Sequence, residues 1–148
     1  MTLATGVIVS AFMVSLAVCA ETKVNLESLP VPVQNTVKEQ TRNAKLVGVS
    51  KEKERGKTVY ELETTLDGKS RDLVIDAAGA IISVEQEVTL ETVPPAAQAA
   101  IQKKVASGKL TKVETVTKGS DVSYEAAYTT KTGKRAEYSV DASGSPHK

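Results

Sequence analysis

Histidine and cysteine are almost missing from this chain: there is one of each in 148 residues. The lone His147 stands next to the last residue, in what reads as a frayed tail. No serine, cysteine or carboxylate can be paired with it as a catalytic dyad. Cys19 falls in the apolar leader, so no disulfide can hold the body of the fold, and packing must do so instead. With a single His near the end, no Cys after the leader and no dense Asp/Glu loop, zinc and calcium sites are poorly supported. A glycine-rich phosphate loop is absent too. Aromatic residues make up only 3%. Charge of one sign is also lacking: 19 basic residues face 18 acidic ones, for a net +1. That balance gives no electrostatic case for nucleic acid or an anionic membrane as partner. These absences point away from an enzyme, with no catalytic residue, no cofactor and no metal expected.

The first twenty residues carry no charge, and residues 7–18 are mostly apolar, ending in Val18-Cys19-Ala20. This resembles a signal peptide cleaved after Ala20, which places the remainder in the periplasm or outside the cell. No Lys or Arg precedes the apolar run, which departs from that pattern and leaves the true start open. The run is short of the roughly 20 apolar residues of a spanning helix, so no membrane association is expected after cleavage. Bulky Val18 argues against a lipoprotein signal using Cys19. Residues 21–148 are long enough to bury one moderate core.

What is present is a template written twice, over residues 26–79 and 90–144. Leu26-Glu27-Ser28-Leu29-Pro30 reads against Leu90-Glu91-Thr92-Val93-Pro94, Lys45-Leu46 against Lys109-Leu110, and Tyr60-Glu61 against Tyr124-Glu125, all 64 residues apart. Thr64-Thr65, Gly68-Lys69 and Asp76-Ala77-Ala78-Gly79 read against Thr129-Thr130, Gly133-Lys134 and Asp141-Ala142-Ser143-Gly144, 65 apart. Self-similarity at this scale fixes architecture first.

In each copy prolines open a helical pattern, Val33, Val37, Thr41 and Ala44 in one and Ala97, Ile101 and Val105 in the other. Ser28 and Thr92 are the candidate caps, and Gly108 suits the end of the second helix. Alternating segments follow: residues 45–53, 57–66, a third strand through Arg71–Ile75, and 80–88, then 109–117, 121–131 and 135–140. The second copy's fourth strand is missing or very short. Asp76 and Asp141 are turn residues, with Gly79 and Gly144 supplying positive φ. The fold predicted is α+β, two tandem units each packing a helix on one face of an antiparallel sheet of about seven strands. The units are residues 21–88 and 89–148, with 1–20 as leader. The predicted core is Val33, Val37, Tyr60, Leu62, Leu73, Ile75, Ile82 and Val84, then Ala97, Ile101, Val105, Val113, Tyr124, Tyr138 and Val140.

The order Leu-x-x-Leu/Val-Pro, Tyr-Glu, Gly-Lys, Asp-x-x-Gly resembles the PepSY-like family, and similarly the tandem domains of β-lactamase inhibitory proteins, whose joined sheets form a concave binding surface. The resemblance implies non-catalytic binding of a protein or peptide in the cell envelope, a peptidase among them. The open sheet face would carry the contact, through Glu61, Glu63, Asp72, Val74, Glu125, Tyr128, Arg135 and Glu137. Tyr128 enters this set because the change of offset from 64 to 65 reads as one residue inserted between Glu125 and Thr129. A single insertion in a strand is a β-bulge, which would turn Tyr128 to the open face. An exposed Tyr there is a binding anchor. For most of these residues the plainer reading is a solvated polar face opposite a core. The alternative function is a small-ligand or ion sensor using the acidic face or a pocket at the junction of the copies.

Overall fold

The computed structural model describes residues 22–147. The leader over 1–20 lies outside them. Eight strands are present: β1 (Thr22–Lys23), β2 (Lys45–Glu54), β3 (Lys57–Leu66), β4 (Lys69–Asp76), β5 (Ile81–Val88), β6 (Lys109–Lys118), β7 (Asp121–Thr129) and β8 (Arg135–Val140). They form one antiparallel sheet in chain order. Helix α1 (Val31–Gln40) lies between β1 and β2 in the chain, and α2 (Pro95–Val105) between β5 and β6. Short 3-10 turns at Leu26–Ser28 and Leu90–Thr92 precede the helices.

Both helices cover the same sheet face. Val33 and Val37 pack with Val49, Tyr60, Leu62, Leu73 and Ile75, joined by Val84 at the edge of the cluster. Ala97 and Ile101 pack with Val113, Ala126 and Val140, joined by Val105, Tyr124 and Tyr138. Pairing of Val84 with Thr117 and Val88 with Val113 carries one face across the β5–β6 junction. The predicted core residues all take their places except Ile82. A register shift between Val74 and Ile75 leaves Ile82 as the extra residue of β5, and it is 41% exposed. Alternation alone cannot see a bulge.

The helix starts differ from the expected caps. Ser28 and Thr92 sit inside the 3-10 turns, where their hydroxyls donate to the Asn25 and Thr89 carbonyls. Pro30 and Pro94 hold the N-cap positions without a side-chain cap. Gln34 and Gln98 tie the entry instead, their amides donating to the Leu29 and Leu90 carbonyls at 2.9 and 3.0 Å. Helix α1 also ends at Gln40, short of Ala44.

After β4 and β8 the chain turns through an Asp-centred loop. Asp76 Oδ1 accepts the Ala78 and Ala80 amides, and Asp141 Oδ1 those of Ser143 and Ser145. Gly79 and Gly144 then take φ of +86° and +80°. The tail is not frayed: His147 donates its amide to the Ser139 carbonyl at 2.9 Å, and its Nε2 lies 3.0 Å from Asp121 Oδ2.

The extra residue behind the offset change lies in the hairpin loops, not in β7. Leu66 pairs with Lys69 across the two-residue turn Asp67-Gly68. The β7–β8 hairpin closes through Thr130 and Lys134 around residues 131–133, one residue longer. Pairing of β7 with β8 runs without a shift from Tyr124↔Val140 to Thr129↔Arg135.

Candidate functional site: the open sheet face

Strand parity assigns each side chain to a face. Opposite the helices, Gly48, Glu63, Asp72, Glu85, Val116 and Ser123 form one row across β2 to β7. A second row holds Thr65, Ser70, Glu87, Glu114, Glu125 and Ser139. Beside the first row stand Ser50, Glu61, Val74 and Ser83. Lys112, Ala127 and Glu137 lie beyond the second, with Arg135 further along β8.

The sequence-predicted Glu61, Glu63, Asp72, Val74, Glu125, Arg135 and Glu137 therefore share this face. Tyr128 does not. Regular β7 alternation puts it on the helix-covered face with Tyr124 and Ala126, where it is only 8% exposed. With no bulge in β7, nothing turns it over, so the face has no tyrosine anchor. Sequence reasoning missed Glu85, Glu87, Glu114 and Lys112. The signal was the alternation of β5 and β6, obscured in β6 by a register shift between Leu110 and Lys112.

Carboxylates dominate the centre of the face, and they meet head on. Asp72 is directly opposite Glu63 and Glu85, and Glu114 is directly opposite Glu87 and Glu125. The cations among them are Lys112, whose Nζ lies 2.8 Å from Glu114 Oε1, and Lys118. Glu87 Oε2 accepts the Ser70 amide and hydroxyl. Burial, then the negative charges of Glu114 and Glu63, push Asp72 above the usual carboxylate range, against the pull of Lys112. Glu85 is raised by burial and by Glu114, and Glu125 by burial and by Glu137, Glu85 and Glu114. Lys112 is itself raised: burial opposes its charge, but the Glu114 hydrogen bond and surrounding carboxylates outweigh it. Among the described residues, no three of His, Cys, Asp and Glu are grouped so as to hold a metal ion. The carboxylates form rows, not a cage.

A carboxyl group raised in the folded chain holds its proton more tightly folded than unfolded. Its stabilising contribution is complete below the unfolded value, roughly 4, and is lost as pH rises through the raised value. Like charges directly opposite on a sheet destabilise it, by roughly 0.2–1 kcal/mol per pair. Glu85→Gln and Glu125→Gln should therefore each stabilise the protein by up to about 1 kcal/mol at pH 7 and low salt. The gain should shrink toward pH 4. Urea unfolding at both pH values checks this; an equal gain at the two would refute the charge-repulsion account.

A depression of about 610 Å³ lies at the far end of the sheet, lined by residues including Lys112, Ala127, Arg135 and Glu137. It belongs to β6–β8 and not to the β5–β6 junction.

Three solved structures share this architecture. A Bacteroides eggerthii protein, provisionally named periplasmic, superposes with a TM-score of 0.67 at 14% identity, covering 81% of this chain and 86% of its own. A DUF2874 family protein of Bacteroides ovatus gives 0.63 at 17%, covering 82% and 86%. A BLIP-like protein of Bacteroides fragilis gives 0.57 at 16%, covering 79% and 82%. The fold is BLIP-like. No protein-family model matches the chain, and no curated protein matches it in sequence. At these identities the likeness is one of fold. No helix among the described residues is long and apolar enough to cross a membrane.

Proposed function

We propose that this chain is an exported, non-catalytic binding protein of the PepSY-like type, built from two copies of one unit. It engages a protein or peptide of the cell envelope through its open sheet face. One observation carries this: a sheet of eight strands puts both helices on one face and leaves rows of polar side chains on the other. A structural sheet needs only alternation; it gains nothing from carboxylates set directly opposite one another. The apolar leader supports export, and the fold shared with a protein provisionally named periplasmic agrees with it. A peptidase is the partner class that the PepSY resemblance brings, with regulation or inhibition as the role.

The test is affinity capture from envelope extract with the wild type beside a Val74→Arg, Glu137→Arg variant. Both positions are on the open face and neither belongs to the helix-side clusters. The expected result is a partner held by the wild type and released by the variant, followed by an inhibition assay if that partner is a peptidase. Retention indifferent to the variant would sink the open-face reading.

A further inference from the structure

We infer that the open face takes a cationic polypeptide segment, one rich in lysine or arginine, as its occupant. This rests on the binding-protein reading above and names the chemistry of the partner.

The first observation is uncompensated charge. Glu63, Asp72 and Glu85 stand side by side on adjacent strands, as do Glu87, Glu114 and Glu125. Neighbouring strands are about 4.8 Å apart, so each row is a ladder of negative charge at that spacing. Lys112 is engaged with Glu114, and Lys118 acts on Glu85 and Glu125, so two cations stand against the six carboxylates of the rows. The net charge of +1 hides this, because much of the basic charge sits elsewhere, Lys38 and Arg42 near α1 and Lys103 and Lys104 on α2, while Lys112 and Lys118 are the cations beside the rows and Arg135 lies further along β8. Local field, not net charge, steers a charged partner.

The second observation is independent of the acids. Ser50 and Ser83 also belong to this face, 3% and 5% exposed, and neither hydroxyl has a hydrogen-bond partner among the described residues. A buried polar group left unpaired costs roughly 1–3 kcal/mol, so such groups call for an explanation. Both flank the Glu63–Asp72–Glu85 row, Ser50 through Glu61 and Ser83 two residues before Glu85. These oxygens can accept from the ammonium or guanidinium N–H groups of an occupant that reaches them. Cationic side chains thus suit both the surplus acceptors of the rows and the idle hydroxyls beside them.

Fluorescence anisotropy of labelled deca-lysine with the purified protein tests this, with deca-glutamate as the opposite-charge probe. A Glu63→Gln, Glu85→Gln, Glu125→Gln variant removes charge from the rows, and Glu39→Gln, Glu91→Gln removes it from exposed helix-side positions. We expect saturable deca-lysine binding that weakens about tenfold or more in the face variant, and that weakens with added salt. The helix-side variant should bind as the wild type does, and deca-glutamate should not bind. Absent binding, or binding lost equally in both variants, overturns the inference. So does light scattering that shows a concentration-dependent mass abolished by the face variant, since the occupant is then the basic side of a second copy. If an envelope partner is captured through the face but deca-lysine does not displace it, the cationic assignment fails while the binding-protein reading stands.

Discussion

Gly144→Ala should destabilise the protein by about 2–5 kcal/mol, several times the effect of an ordinary surface substitution. Two separate penalties combine. At φ +80° the residue is in the left-handed region, where a side chain costs about 1–2 kcal/mol. A Cβ there would also fall 2.5 Å from the Ala96 carbonyl oxygen and 3.3 Å from Ala100 Cβ, both on α2. Overpacking of this kind adds about 1–3 kcal/mol, because backbone on both sides has nowhere to move. Gly79 repeats the geometry against α1, with a Cβ 2.7 Å from the Pro32 carbonyl oxygen. Its own carbonyl also accepts the Thr36 hydroxyl at 2.7 Å. The control is Gly133→Ala, at φ +82° with nothing within 4 Å of the added carbon. It should lose only the conformational part, about 1–2 kcal/mol. Urea titration reads both as a shift of midpoint at constant slope. If Gly144 and Gly133 cost the same, the helix contact is not what the glycine serves.

These glycines also show what could be read beforehand. Asp-x-x-Gly at both sites predicts a turn and a positive φ, and both are found. The pressing of the turn on a helix carbonyl is tertiary and leaves no local mark. The core was legible for the same reason: Leu62, Leu73, Ile101 and Val140 follow periods of 2 and 3.6 set by the backbone itself. Tyr128 failed at a point of degeneracy. Thr129-Thr130 can be matched to Thr64-Thr65 with or without a one-residue slip, and strings of letters do not choose. Hydrogen bonds do: Lys45 pairs with Thr65 and Lys109 with Thr129, which keeps the offset at 64 through β7. The surplus residue is then left to the loop. Glu85, Glu87 and Glu114 were hidden differently. Each looks like an ordinary solvated acid within its own strand. Their proximity arises only from β5–β6 pairing, between segments separated by the whole of α2.

Ile101→Ala should cost about 2–5 kcal/mol, the range for removing a large aliphatic side chain from a packed core. Ile101 is fully buried at the centre of the cluster under α2, as Leu62 is in the cluster under α1. The more telling expectation is the shape of the unfolding curve. The helix-side core is two clusters, and a unit of roughly 60 residues buries too little surface to be secure alone. What unites them is the β5–β6 ladder from Val84↔Thr117 to Val88↔Val113. Val84 and Val88 lend side chains to opposite clusters, one to each. Loosening either cluster should therefore weaken the strand that the other leans on. A single transition moved to lower urea is expected for Ile101→Ala, and likewise for Leu62→Ala. Two resolved transitions would show halves that fold independently. The acidic rows depend on the same ladder, since Glu85 and Glu87 come from β5 and Glu114 from β6. If the halves can part, the face parts with them, and any occupant that spans the rows must stabilise the pairing when it binds.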